Sequence, residues 1–153
     1  LRKNNRAHSF LKSFIKTDAL PNHRQMSWQN KAHKFKSDRV KVSGVSFASK
    51  LEASVYSILL EKENKGELRI IRLQPKIYLT RANIGLIPDF LIETSSGELR
   101  FVEAKGFETP EWNLKKKLFK FYGPAPMDIY KGSHLKPKLF ETITPKGRGE
   151  TDE

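Results

Sequence analysis

Pro88-Asp89-Phe90-Leu91-Ile92-Glu93-Thr94 runs into Ser95-Ser96-Gly97, and then into Glu98-Leu99-Arg100-Phe101-Val102-Glu103-Ala104-Lys105-Gly106. A short polar link containing glycine joins two runs rich in β-formers, so the stretch reads as a β-hairpin. The fold-back centres near Ser96, with Asp89 seven residues before it and Glu103 seven after it. The two acids therefore fall opposite each other. Side chains alternate faces along a strand, so Glu103 and Lys105 share a face. Two acids and a lysine meet at the open end of one hairpin. Like charges placed opposite each other destabilise a sheet unless something offsets them, and a divalent cation is the usual means.

Upstream, Ser49-Lys50-Leu51-Glu52 opens the strongest helical pattern, Lys50 to about Lys65. Leu51, Val55, Ile58 and Leu59 recur at helical spacing, and Gly66 is the expected stop. Ser49 and Glu52 fit a capping box, in which the glutamate reaches back to the N-cap amide. Glu52 also flanks the apolar stripe and can point along the helix edge toward the hairpin. Val40 to Phe47 reads as extended, with a turn at Gly44. Leu68 to Leu73 and Lys76 to Thr80 are strand candidates broken at Pro75, and a loop at Asn83-Ile84-Gly85 leads into a strand from Ile87 to Thr94. Thr109-Pro110-Glu111 has the N-cap, first-turn proline and acid of a helix start, and that helix runs to about Tyr122 before Gly123-Pro124. Met127 to Tyr130 is a further strand. Helix, strands, helix, strand is an α/β layout: a mixed central sheet flanked by helices.

The motif Pro88-Asp89 followed by Glu103-Ala104-Lys105 resembles that of the PD-(D/E)XK nuclease superfamily. The wider stretch Val42 to Phe121 also looks like an uncharacterised family of phage-encoded, nuclease-like proteins. That likeness is carried by Gly44-Val45-Ser46-Phe47-Ala48-Ser49-Lys50-Leu51-Glu52, Leu73-Gln74-Pro75, Pro88-Asp89-Phe90, Glu103-Ala104-Lys105-Gly106 and Leu114-Lys115-Lys116-Lys117-Leu118-Phe119. The resemblance implies a restriction-endonuclease-like core that hydrolyses phosphodiesters with bound Mg²⁺, for which Mn²⁺ substitutes. Asp89 and Glu103 are the expected metal carboxylates. Glu52 and the backbone carbonyl of Ala104 are the further ligands that it implies. Lys105 is expected to orient the attacking water and to stabilise charge in the transition state. Similar small basic nucleases include phage Holliday-junction resolvases, which implies branched DNA as a substrate, a homodimer, and the cytoplasm of a bacterial host.

The charge balance points to the same partner on independent grounds. Lys and Arg number 29 against 17 Asp and Glu, a net charge of +12, which suits a polyanion such as DNA. No long apolar run, signal peptide or lipidation motif argues for a membrane partner instead. The chain has no cysteine, which excludes disulfides, thiol catalysis and cysteine-type zinc sites and suits a reducing compartment. Residues 1–41 carry +9 of the charge and read as a basic, helical N-terminal extension. Residues 42–141 are the expected nuclease-like domain, and residues 142–153 a flexible tail.

Further DNA contacts are expected from Lys116 and Lys120, which share an i,i+4 face. Gln74 and Lys131 are also candidates, although Gln74 suits a structural bridge between strands as well. Trp112 and Phe119 are expected in the core, while Glu61 and Glu63 are expected in solvent. His134 is a weak acid–base candidate. His8, His23 and His33 lack zinc-like spacing. Three other functions fit parts of the pattern. A nuclease subunit of a transposase shares the motif. A non-catalytic DNA-binding or packaging protein retains the fold but has no need of two acids facing phosphates. An RNA-binding protein fits least, because no RNP-type aromatic motif is present.

Overall fold

The computed structural model describes residues 39–146. The chain there is a mixed α/β protein with a five-stranded sheet and two helices. It opens with a small hairpin, β1 (Val40–Val42) and β2 (Val45–Phe47). Ser43 and Gly44 both have positive φ, 49° and 82°, as a two-residue type I′ turn requires. Helix α1 (Lys50–Asn64) follows. Ser49 caps it by accepting from the Glu52 amide at 3.0 Å. Its end is a Schellman motif: Gly66, at φ 74°, donates to the Glu63 carbonyl and Glu67 donates to the Lys62 carbonyl.

β3 (Leu68–Leu73), β6 (Phe90–Thr94), β7 (Leu99–Ala104), β8 (Met127–Lys131) and β9 (Lys138–Ile143) form the main sheet in the order β3-β6-β7-β8-β9. β7 and β8 run parallel, joined by the crossover helix α2 (Pro110–Tyr122), and the other neighbours are antiparallel. Between β3 and β6 lies a second small hairpin, β4 (Ile77–Tyr78) with β5 (Gly85–Leu86).

The sheet alternates cleanly between its faces. Leu91, Leu99, Phe101, Met127 and Ile129 pack with Trp112 and Phe119 of α2 and with Ile77, Leu79 and Leu86 around the β4–β5 hairpin. Phe90, Ile92, Val102, Ile70 and Leu73 pack with Val55, Tyr56 and Leu59 of α1 and with Val45 and Phe47 of β2. Burying apolar area on both faces is what holds the two helical layers to the sheet. Arg100, Asp128 and Thr142 lace three strands together: Arg100 donates to both Asp128 oxygens at 3.0 and 2.7 Å, and the Thr142 hydroxyl donates to Asp128 at 2.6 Å.

Several boundaries differ from the expectations. The strand expected over 76–80 is only Ile77–Tyr78, and the one expected from Ile87 begins at Phe90. Strand β9 was not expected at all, and the expected tail begins inside it, at Thr142. Ile143 is buried in the core and the Lys146 amide donates to the Lys120 carbonyl. The expected N-terminal extension likewise ends inside β1, where Val40 and Lys41 pair with Phe47 and Ser46. Glu63 is half-buried and accepts from the Ile70 amide at 2.9 Å, so it is not solvated as expected, whereas Glu61 is exposed. The helical character expected within residues 1–38, their three histidines and residues 147–153 lie outside the described residues.

Candidate functional site

The hairpin register is the one its turn dictates. Phe90 pairs with Val102 and Leu91 with Phe101, which sets Asp89 against Glu103. In the link, the Thr94 amide donates to the Glu98 carbonyl, the Gly97 amide donates to the Thr94 carbonyl, and Gly97 takes the positive φ of 81°. Pro88 is buried and ends the approach to the strand. Asp89 then turns its carboxylate across the pair, where Oδ2 accepts from the Ala104 amide at 2.7 Å.

Glu103 sits in the middle of this arrangement. Glu52 and Glu103 are the two buried charged residues of the described chain, each 6% exposed. Glutamates are rarely buried so deeply without a full set of partners. Glu103 has no such set: one carboxylate oxygen is 3.5 Å from Lys105 Nζ, while Oε2 is buried with no hydrogen-bond partner. Burial raises the Glu103 carboxyl to about 7, against downward pulls from Lys105 and from a hydrogen bond with the Asp89 backbone, and the charge of Glu52 adds to the rise. Asp89 is pushed well up by burial, then by the charges of Glu103 and Glu52. Glu52 is raised by burial, opposed by bonds from the Ala48 amide, the Gln74 side chain and the Ser49 amide. Three carboxyl groups thus share one low-dielectric corner and disfavour each other's ionisation. A fold carries such a cost when a cation or a proton occupies the corner in use.

The cluster draws on both helical layers. Glu52 comes from the first turn of α1, whose N-cap geometry aims it back: Oε2 accepts from Ala48 at 3.3 Å. Capping and membership of the acid cluster are therefore one conformation, not competing ones. Gln74 joins them from the end of β3. Its backbone is held left-handed at φ 46°, its amide donates to the Asp89 carbonyl at 2.8 Å, and its side chain donates to Glu52. Gln74 thus ties two of the acids together. Lys105 leaves the end of β7, where its amide donates to the Tyr130 carbonyl at 2.9 Å, and its Nζ lies 4.6 Å from the centre of the Trp112 ring.

Not every expected residue reaches this corner as a free group. Lys116 is 16% exposed and bound to Glu141 at 2.5 Å and Glu108 at 3.7 Å. Lys120 lies 3.9 Å from Glu141. Lys131 is 2.6 Å from Glu108 and 3.9 Å from the centre of the Phe140 ring. Ion pairs thus link Lys116 and Lys131 to Glu108 and Glu141, while Lys120 stays half-exposed. His134 is exposed on the β8–β9 connection, four residues past Tyr130.

Sequence reasoning missed the cleft beside the acids. A cavity of roughly 430 Å³ opens between the β4–β5 hairpin and the start of α2, with Glu103 and Lys105 in its lining. Lys76, Tyr78 and Lys115 also line it, and so does Trp112, whose indole Nε1 is buried without a partner. The only sequence signal for this wall was the apolar-polar alternation around Lys76 to Tyr78, which says nothing of its distance from Glu103.

The donor set is all hard oxygen, which suits Mg²⁺ or Mn²⁺ rather than a thiophilic metal. The orphaned Glu103 Oε2 is the kind of atom that such an ion satisfies. Among the described residues, no group of three or more His, Cys, Asp or Glu side chains is already gathered as a metal-holding cluster. Asp89 and Glu103, opposed across the hairpin, are the first candidates, and Glu52 is close enough for its charge to act on both. No helix among the described residues is long and apolar enough to cross a membrane.

Fold and site together define a mixed α/β protein with a buried acid cluster and an adjoining lysine at a sheet end. Residues 32–136 match the model of the family described as "Protein of unknown function (DUF1064)", and the chain belongs to that family. Neither the curated proteins nor the solved structures hold a match to it.

Proposed function

We propose that this chain is a metal-dependent DNA endonuclease whose core is of the PD-(D/E)XK kind. One observation carries the reading. Asp89 and Glu103 face each other across one hairpin, the charges of Glu103 and Glu52 push Asp89 up, and Lys105 stands beside Glu103. A purely structural sheet end has no use for two buried glutamates set beside an aspartate whose ionisation they oppose.

Asp89 and Glu103 would hold a Mg²⁺ ion, with Glu52 and the Ala104 carbonyl as further ligands. When bound, such an ion lowers the pKa of a water and neutralises charge growing on a phosphate. Asp89 is fixed for this by the Ala104 amide, and Glu52 by its cap and by Gln74. Lys105 reaches the same corner from the strand end and can orient the attacking water or hold the phosphate's developing charge. The net charge of +12 supports a polyanionic substrate. Branched DNA and a homodimeric enzyme belong to the proposal through the resemblance to phage resolvases.

The test is incubation with linear duplex, single-stranded and four-way-junction DNA, each with Mg²⁺ or EDTA. Cleavage should need Mg²⁺ and vanish in Glu103→Gln and Lys105→Ala. Binding without cleavage of any of the three would sink the enzyme reading and leave a DNA-binding protein. Preference for the junction would support the resolvase-like assignment, and equal cutting of all three would remove it.

A further inference from the structure

We propose that the cleft beside the acids is a subsite for one nucleotide of the substrate strand, held by Lys76 and Lys115 and walled by Tyr78. This rests on the nuclease reading and adds to it the residues that place the strand. The cleft is continuous with the acid cluster, because Glu103 and Lys105 belong to its lining. Its roughly 430 Å³ falls within the range of small-molecule sites. That is room for a nucleotide and far too little for a duplex.

Its chemistry selects an anion rich in hydrogen-bond acceptors. Three lysines, Lys76, Lys105 and Lys115, line it against two acids, Glu103 and Glu111. Lys76 lies on the β4 side with its Nζ 5.2 Å from the centre of the Tyr78 ring. Lys115 faces it from α2, at present 2.6 Å from the exposed Glu111 carboxylate. The two cations line one cleft from different elements, so a strand seated in it can meet both. A second observation is independent of the charges. Trp112 is 4% exposed, lines the cleft, and has an indole N–H with no acceptor. An indole N–H can only donate. That atom is itself shielded, so other atoms of the Trp112 ring line the cleft, a surface against which a base or sugar can pack.

The lysines offered by the sequence pattern do not compete for this role. Lys116 and Lys131 are tied to Glu108, and neither lines the cleft.

The probe is thymidine 3′,5′-bisphosphate, a single nucleotide carrying both of its phosphates. Binding is followed at low salt by the ¹⁵N–¹H signal of the Trp112 indole, assigned by comparison with Trp28→Phe. The signal should shift on titration. Lys76→Ala and Lys115→Ala should each weaken binding about tenfold, the loss of one charged hydrogen bond. Glu111→Gln should tighten it, because it frees Lys115 and removes a cleft acid; a gain of affinity is not produced by misfolding. An unmoved indole signal, or affinity unchanged in all three variants, overturns the subsite. Binding needs no turnover, so the two readings fail separately. Nucleotide binding without Mg²⁺-dependent DNA cleavage would sink the nuclease and keep the subsite. Cleavage that is indifferent to Lys76 and Lys115 would do the reverse.

Discussion

The Lys105 ammonium lies 4.6 Å from the centre of the Trp112 ring, on an indole that the fold buries almost completely. The first turn of α2 therefore helps to set where the lysine of the acid cluster points. A cation over an aromatic face gains about 0.5–2 kcal/mol, more as water is excluded.

Trp112→Phe keeps a ring under Lys105, and Trp112→Leu does not. In DNA cleavage assays the leucine variant should lose about tenfold in kcat with KM little changed, whereas the phenylalanine variant recovers most of the rate. Both should be compared at a temperature where circular dichroism shows them folded. Equal rates for the two would assign Trp112 to packing alone.

Glu52 has two roles in one conformation, and two variants separate them. Glu52→Gln keeps an acceptor for the Ala48 amide and should leave Tm almost unchanged while Mg²⁺-dependent cleavage falls by orders of magnitude. Ser49→Ala removes the acceptor of the Glu52 amide and should cost roughly 1 kcal/mol in denaturant unfolding, with cleavage retained. Wild-type cleavage by Glu52→Gln would leave Asp89, Glu103 and Lys105 as the whole site.

The acid cluster makes stability depend on pH in an unusual sense. Glu103 titrates at about 7 in the fold, against 4.5 for an ordinary glutamate. Between those values the folded protein binds more protons than the unfolded chain, so stability falls as pH rises. Glu103 alone contributes a loss on the order of 3 kcal/mol, complete only above its folded pKa. Asp89 and Glu52, also pushed up, act in the same direction. In EDTA, Tm should drop from about pH 5.5 to about pH 8, and Glu103→Gln should flatten the drop. Mg²⁺ should restore Tm at the higher pH far more than at the lower. A profile that is flat in both proteins would mean that the three acids do not interact as their burial requires.

Lys116 tests whether its ion pairs or DNA phosphates are its working partners. Lys116→Met should cost about 1 kcal/mol by removing the short pair with Glu141, as read by denaturant unfolding. The salt dependence of DNA binding should stay as in wild type, because a residue that contacts no phosphate releases no counterion. A shallower salt slope would return Lys116 to the DNA surface.

The hairpin was legible because its information is local. A turn at Ser95-Ser96-Gly97 and two alternating strands fix the register, and the register alone sets Asp89 against Glu103. Both helix starts were legible for the same reason: Ser49 and Thr109 bond amides three residues on. What could not be read depended on contacts distant in sequence. Lys116 and Lys131 looked like free cations until α2, β8 and β9 brought Glu108 and Glu141 to them. Strand β9 hid because it is an edge strand with an exposed, irregular pattern, and the proline and two glycines after it suggested a tail. The cleft hid because Lys76 and Lys115 are 39 residues apart in the chain.

The bond from Ala104 to Asp89 gives the site a built-in reporter. A backbone hydrogen on the central hairpin is held by a side-chain carboxylate whose ionisation is contested by its neighbours. Whatever changes the charge on Asp89, be it acid, a cation or a bound phosphate, alters the strength of that one hydrogen bond. The exchange rate and proton frequency of the Ala104 amide should therefore track events in the cluster without a label or a substrate. A chemical step that is otherwise silent becomes visible at a single resonance.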